Sequence, residues 1–178
     1  LIAIWDEISQ LNYYPGPYHT RVIKEYDKER CLIIAPFRDR VVHHLIAQML
    51  YPIYDPIFIS NSYACRIGYG VHKGLFDLKN DLSANIIRCT FCLKTDIRKY
   101  YESVNNDILK HILTIKIGDS RFLEILYRVI DHVKHGLPLG YYTSQLLANI
   151  YLTYFDHFVK EKLKVTFYYR YMDDMVFL

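Results

Sequence analysis

Apolar and polar positions alternate along this chain with two different periods, and the switches between them mark its elements. Leu1 to Leu11 has a short helical spacing closed by Tyr14-Pro15-Gly16-Pro17. Arg21 to Tyr26 and Cys31 to Ala35 are rich in residues that suit a pleated strand, and the polar Asp27-Lys28-Glu29 between them predicts a hairpin that carries Lys24 and Arg30. From Arg38 to about Leu50, Val41, Val42, Leu45, Ile46, Met49 and Leu50 recur at helical spacing, and Pro52 and Pro56 are expected to stop that helix. Val71 to Ala84 continues as helix. The clearest alternation runs from Ile86 to Asp96, with Ile87, Cys89, Phe91 and Leu93 on one face and Arg88, Thr90, Cys92, Lys94 and Asp96 on the other, which predicts a strand ending in a carboxylate. Helical spacing returns over Asn106 to Lys116 and Ser120 to Val133. The turn-rich Gly136-Leu137-Pro138-Leu139-Gly140 follows, and Thr143 or Ser144 can cap a helix to about Leu163. Its expected buried stripe is Leu147, Ile150, Tyr151, Tyr154 and Phe158. Last come Phe167 to Met172 and Met175 to Leu178, two strand-like runs with Asp173-Asp174 expected at the tip of a hairpin. Strands and helices interleave without repeats or low-complexity tracts, so the fold class expected is α+β.

Composition adds bounds rather than direction. With 178 residues, 52% of them hydrophobic, the chain can bury a core, and a net charge of +3 permits a polyanion partner without requiring one. Apolar runs fall short of the roughly 20 residues that span a membrane, and no signal peptide opens the chain, so a soluble cytoplasmic protein with no membrane partner is expected. The chain begins without Met and stops four residues past the Asp pair, in the manner of an excised fragment.

Several motifs dissolve on inspection. Cys89 and Cys92 form a C-x-x-C, but residues three apart on a strand point to opposite faces and cannot share a metal. Buried thiols are the simpler expectation for all four cysteines, Cys31, Cys65, Cys89 and Cys92. His43-His44 has no partners at ligand spacing and reads as structural. Gly68, Gly70 and Gly74 lack the preceding strand and following Lys-Ser/Thr of a phosphate loop.

One constellation survives. Asp96 ends a strand and Asp173-Asp174 tip a hairpin, with a helix-rich crossover between them. An Asp-Asp pair alone is an ordinary turn, but neighbouring strands in one sheet would bring three carboxylates together. Two like charges about 4 Å apart repel by roughly 4 kcal/mol at an effective dielectric near 20, so a cation or a proton must neutralise them. Hard oxygen donors suit Mg²⁺, and two such ions can activate a hydroxyl and stabilise a leaving oxygen in phosphoryl transfer. Tyr101, five residues past Asp96, either packs in the core or meets an incoming sugar. The Gly136 to Gly140 loop either ends a helix or lets a substrate approach the backbone closely.

Together these residues resemble the reverse transcriptases. Leu93-Lys94-Thr95-Asp96-Ile97-Arg98-Lys99-Tyr100-Tyr101 is similar to their first catalytic motif. Leu137-Pro138-Leu139-Gly140-Tyr141-Tyr142-Thr143-Ser144-Gln145 is similar to their template- and nucleotide-contacting segment, and Tyr171-Met172-Asp173-Asp174 to their second catalytic motif. Upstream, Arg30 to His44 and Ser62-Tyr63-Ala64-Cys65-Arg66 resemble the fingers motifs of bacterial members. Asp39-Arg40-Val41-Val42-His43-His44 and the Leu-Gly-x-x-Thr-Ser-Gln pattern are most similar to the enzymes of diversity-generating retroelements, where an apolar residue such as Leu139 goes with error-prone copying.

The resemblance implies a fingers/palm fragment with an antiparallel palm sheet and helices on one face. Residues 1–85 would be fingers and N-terminal part and 86–178 palm, with some fingers around 105–135 and the thumb absent. It implies an RNA-directed DNA polymerase in which Asp96, Asp173 and Asp174 are catalytic. These three, with the Ile97 carbonyl, would hold two Mg²⁺, for which Mn²⁺ can substitute. Arg30, Lys24, Tyr101, Leu139 and Gly140 would bind the nucleotide, Tyr101 by excluding a 2′-hydroxyl, and Tyr171, Met172 and Gln145 would contact template and primer. The partners implied are an RNA template, a DNA or RNA primer and deoxynucleoside triphosphates, with an accessory protein left open. The family's later palm motifs and thumb would lie beyond Leu178, so this stretch by itself is expected to polymerise poorly. The alternative is a non-catalytic nucleic-acid-binding palm scaffold of an intron, retron or phage-defence complex. Three retained carboxylates argue against it, since idle acids only repel a polyanion.

Overall fold

A computed structural model describes residues 2–25, 28–85 and 89–178; the side chains of Glu25 and Lys28 fall outside the description, as do Tyr26, the end of the expected first strand, Asp27 of the expected turn and the first part of the expected Ile86 to Asp96 strand. The fold is α+β, with seven α-helices and two antiparallel sheets among the described residues. The chain divides into two compact units, each discontinuous in sequence.

The first unit comprises Leu1–Ile53 and Tyr101–Ala148. Helix α1 (Ile2–Ser9) is followed by the hairpin β1 (His19–Glu25) and β2 (Lys28–Ile34) and by α2 (Phe37–Tyr54). Pro52 lies inside α2 rather than ending it. Its missing N–H forgoes one backbone bond, and the helix ends two residues later, at Tyr54. A short 3-10 turn then contains Pro56. Helices α4 (Tyr100–Ser103), α5 (Asn106–Thr114) and α6 (Ser120–Ile130) follow in the second stretch, and α7 (Tyr142–His157) begins there. Asn105 and Asp119 start α5 and α6 as N-caps, each side chain accepting two orphan backbone N–H groups at 2.9 and 3.1 Å. Ile125, Leu126, Val129 and Ile130 form the buried stripe of α6. Arg128, on the same helix, donates to the carbonyls of Leu11 (2.6 Å) and Tyr13 (2.9 Å) and so ties down the segment after α1.

The expectation that Thr143 or Ser144 caps α7 is corrected. Both lie inside its first turn, and the Thr143 hydroxyl is bonded to His43 Nδ1 at 2.9 Å. The far end falls where expected, with Leu163 as the cap, but the last turn, Phe158–Lys162, widens from an α-helix to a π-helix. Tyr154 and Phe158, expected in the buried stripe, are about half exposed.

The second unit comprises Tyr54–Tyr100 and Asn149–Leu178. It holds α3 (Val71–Ala84) and a three-stranded antiparallel sheet of β3 (Leu93–Thr95), β4 (Tyr168–Tyr171) and β5 (Asp174–Phe177), ordered β3-β5-β4. The predicted strand shrinks to Leu93–Thr95. Among the described residues, the pairing with β5 runs from Leu93 opposite Phe177 to Thr95 opposite Met175, and Ile86 to Arg88 of the expected strand lie outside the described residues. Its supposed apolar face is open, with Phe91 and Leu93 exposed. Cys31, Cys65 and Cys92 are exposed and Cys89 half-buried, not the buried thiols expected. The hairpin tip is also displaced by one residue. Met172 and Asp173 form the turn, while Asp174 opens β5 and pairs with Tyr171. No helix among the described residues is long and apolar enough to cross a membrane.

Candidate active site

The carboxylates predicted from the sequence all belong to the second unit, and the sheet brings them to one end. Strand β3 pairs with β5 in the register Leu93↔Phe177, Lys94↔Val176 and Thr95↔Met175. Asp96 leaves β3 at the end where Asp174 enters β5, and Asp173 occupies the adjoining turn. The Asp96 and Asp173 carboxyls stand close enough for each to act on the protonation of the other. Partial burial pushes the Asp173 carboxyl above its ordinary range. The charge and hydrogen bond of Asp96 and the charge of Asp174 push the same way, against a backbone hydrogen bond that favours the carboxylate.

Asp174 is drawn elsewhere, its Oδ1 3.6 Å from Lys94 Nζ. Residues directly opposite across an antiparallel pair share a face, so Lys94, opposite Val176, lies diagonally from Asp174 on the same side. Among the described residues no group of three or more His, Cys, Asp or Glu side chains stands together as a metal cage. The donor chemistry nevertheless suits a hard divalent cation. Two carboxylates share one position, one half-buried and one exposed, and their mutual repulsion calls for positive charge.

The Met172-Asp173 turn is held from behind. Met172 has φ +55°, the left-handed region that a residue with a Cβ occupies at a cost. Its side chain is buried, which leaves Tyr171, 42% exposed, as the better placed of the two for a nucleic-acid contact. Behind the turn lie Arg170, Asn149 and Asp156, all fully buried. Sequence reasoning missed this trio, although a charged residue inside the Tyr168-Tyr169-Arg170-Tyr171 strand and an Asp on the apolar helix α7 were visible signals.

The remaining candidates lie in the first unit. Register places Lys24 opposite Glu29 and Arg30 opposite Ile23, so Lys24 and Arg30 project from opposite faces of the hairpin. Tyr101 is half-buried on α4, and its carbonyl accepts from Leu137 N at 2.7 Å. Gly136, at φ +69°, makes this clasp possible, since a Cβ there would stand 2.3 Å from the Tyr101 oxygen. At the other end of the loop, Leu139 O accepts from Ile33 N at 2.7 Å, and a Cβ on Gly140 (φ +110°) would stand 2.4 Å from Ile33 O. The loop glycines are thus required by backbone packing against α4 and β2. Gly140 and Gln145 are exposed, and Leu139 is half-buried. His43 is buried, as its structural reading requires, while His44 is exposed and lies tilted against Tyr142, the ring centres 5.0 Å apart.

Residues 22–178 match the family model described as reverse transcriptase (RNA-dependent DNA polymerase), and the chain belongs to that family. It is 30% identical over 90% of its length to a 91 kDa protein in the cob intron of Schizosaccharomyces pombe. It is 28% identical over 87% of its length to the group II intron-encoded protein LtrA of Lactococcus lactis subsp. cremoris, and 29% identical over 88% to protein YkfC of Escherichia coli K12. The chain spans 20%, 27% and 44% of those three proteins, respectively.

Proposed function

We propose that this chain carries the catalytic carboxylates of an RNA-directed DNA polymerase, which extends a primer 3′ end with deoxynucleotides on an RNA template. The observation that carries the reading is the register of β3, β5 and β4, which brings Asp96 and Asp173, 77 residues apart in sequence, to one end of the sheet, where a cation or a proton must neutralise them. Asp96 and Asp173, with the Ile97 carbonyl, would hold two Mg²⁺ or Mn²⁺, and Asp174, tethered to Lys94, would act as an auxiliary carboxylate. The chemistry such ions would supply there is to favour ionisation of the primer hydroxyl and to offset charge on the departing pyrophosphate. Arg30 would neutralise the triphosphate, and Lys24, on the other face of the hairpin, would not share that task. Tyr101, fixed by the Gly136–Leu137 clasp, would meet a ribonucleotide's 2′-hydroxyl. Gly140 and Leu139 would face nucleotide and template, and Tyr171 and Gln145 the template and primer strands.

Two observations bear on the biological setting. Several similar proteins are named for introns, among them LtrA and the nuclear intron maturase 4, mitochondrial, of Arabidopsis thaliana, and they support a retroelement of the intron kind. Leu139 supports error-prone copying of the diversification kind, because an apolar contact discriminates weakly between similar bases. An intron role also keeps alive a maturase-like scaffold that binds RNA without chemistry. Primer extension on an RNA template by the full-length protein separates these readings. Synthesis that Asp173→Asn abolishes supports the polymerase. RNA binding with no synthesis by the parent protein at any Mg²⁺ or Mn²⁺ concentration refutes it in favour of the scaffold.

A further inference from the structure

We infer that Arg170 is a positioning residue for the metal-holding carboxylates, setting the direction in which Asp173 leaves the hairpin turn; the inference rests on the polymerase reading above. Its guanidinium is wholly buried, and every nitrogen is engaged. Nε donates to Asp156 Oδ1 and Oδ2 at 2.8 and 3.0 Å, and Nη2 donates to Oδ2 at 2.7 Å. Nη1 divides between Asn149 Oδ1 at 2.9 Å and the Met172 carbonyl at 3.0 Å. Asn149 is itself fixed through a 2.8 Å bond from its amide to the Ala64 carbonyl. The Arg170 backbone is clamped as well, with its N–H on Asn61 O at 2.9 Å and its C=O receiving Tyr63 N–H at 3.0 Å.

Stability alone does not account for such a group. Burying an ion pair gains little over apolar side chains of similar volume, so a Met–Leu pair would fill the Arg170–Asp156 site about as well. What apolar substitutes could not do is hold a carbonyl. The Met172 C=O belongs to the same peptide plane as the Asp173 N–H, and Met172 is already in the left-handed region. An anchored donor on that oxygen fixes the plane, and with it the line along which the Asp173 carboxylate reaches Asp96. Catalysis by positioned carboxylates is sensitive to displacements of about 1 Å, and the support of such a group sets that precision.

The test uses the full-length protein with three variants: Arg170→Met combined with Asp156→Leu, Arg170→Lys alone, and Tyr168→Phe. The last removes a 2.7 Å bond to Asp156 without touching Met172 and serves as a control for buried polar loss. Melting temperature, single-nucleotide kcat and KM, and Mn²⁺ binding by calorimetry are measured for each. The double variant is expected to melt within a few degrees of the parent. Its kcat should fall at least tenfold, its nucleotide KM should change less than threefold, and its Mn²⁺ dissociation constant should rise at least threefold. Arg170→Lys should move the same quantities in the same directions, and it decides the matter if the double variant does not fold. Tyr168→Phe should lower the melting temperature alone. Variants at Arg170 that melt lower while keeping parental kcat and Mn²⁺ affinity would overturn the inference and leave a purely structural residue. A parent protein that neither binds Mn²⁺ nor extends a primer overturns the polymerase reading itself, a different result from the first.

Discussion

Neutralising Asp173 should make the metal-free protein more stable while removing its response to metal. Two unit charges about 4 Å apart repel by about 1 kcal/mol in water and about 4 kcal/mol at an effective dielectric of 20. Asp96 is exposed and Asp173 half-buried, so solvent screens the pair and the lower figure applies. Asp173→Asn keeps the shape and the ability to hydrogen-bond Asp96 but deletes the repulsion. A gain of about 1 kcal/mol in a domain of this size raises the melting temperature by about 2–4 °C. The pH dependence carries the same sign. A carboxyl whose folded pKa lies above its unfolded value binds more protons in the folded state over that interval. Stability therefore falls as pH rises from the ordinary Asp value through the raised one, and the variant should lack that fall. Metal works the other way, since a cation at 100 times its dissociation constant stabilises the parent by about 2.7 kcal/mol, and Asp173→Asn should forfeit most of it. Melting curves in EDTA and in saturating Mg²⁺ read both effects. A variant that melts lower than the parent in EDTA and keeps the Mg²⁺ shift would refute the repelling pair and the metal reading with it.

Gly140→Ala combines a left-handed backbone with a Cβ 2.4 Å from Ile33 O and disturbs the Ile33–Leu139 bond; a loss of about 3 kcal/mol is expected, and a urea midpoint equal to the parent's contradicts it. Burial lowers the His43 pKa from 6.5 to about 4, against an opposing pull from Asp39. The unfolded chain therefore takes up the proton first, and stability present above about pH 6.5 should drop by about 3 kcal/mol as pH falls to 4. His43→Gln should flatten that slope in urea titrations at a series of pH values, and an unchanged slope counts against it. Tyr101→Ala should cut the preference for deoxynucleotides over ribonucleotides by about 10–200-fold in single-turnover insertion, as the loss of one close contact does; an unchanged ratio removes Tyr101 from the sugar pocket.

What the sequence disclosed was local, and what it hid was set by neighbours. Val71 to Ala84 is a helix at the predicted bounds, its residues carrying the helical pattern locally. The hairpin near the end was legible for the same reason. The long strand before Asp96 was not, since its alternation is real but a strand exists only where another chain segment pairs with it. Pro52 misled by only two residues, because the helix runs past it to Tyr54 and then gives way to the 3-10 turn that holds Pro56. Cysteine burial misled because the thiols fall on surfaces, a property of packing that composition does not carry. The Arg170–Asp156–Asn149 network was the most consequential omission. A lone charge in an apolar strand is usually read as a solvated edge residue, and only the fold reveals that α7 delivers its counter-ion.

The one-residue displacement of the hairpin tip changes the electrostatics of the site. With both acids in the turn, Asp173 and Asp174 would face Asp96 together. With Asp174 inside β5, strand alternation sends it to the face it shares with Lys94, while Asp173, in the turn, is free to reach Asp96. Lys94 offsets one of the three negative charges, leaving about two, with the uncompensated density concentrated on the Asp96–Asp173 pair. A divalent ion would balance that residue of charge at the end of the sheet where the two acids lie. The ammonium, 3.6 Å from Asp174 and exposed to solvent, offsets part of the repulsion that Asp174 adds to Asp173. Removing it by Lys94→Met should therefore weaken the metal-free protein and tighten cation binding together, the signature of a site whose charge is tuned by register rather than by the number of acids it contains.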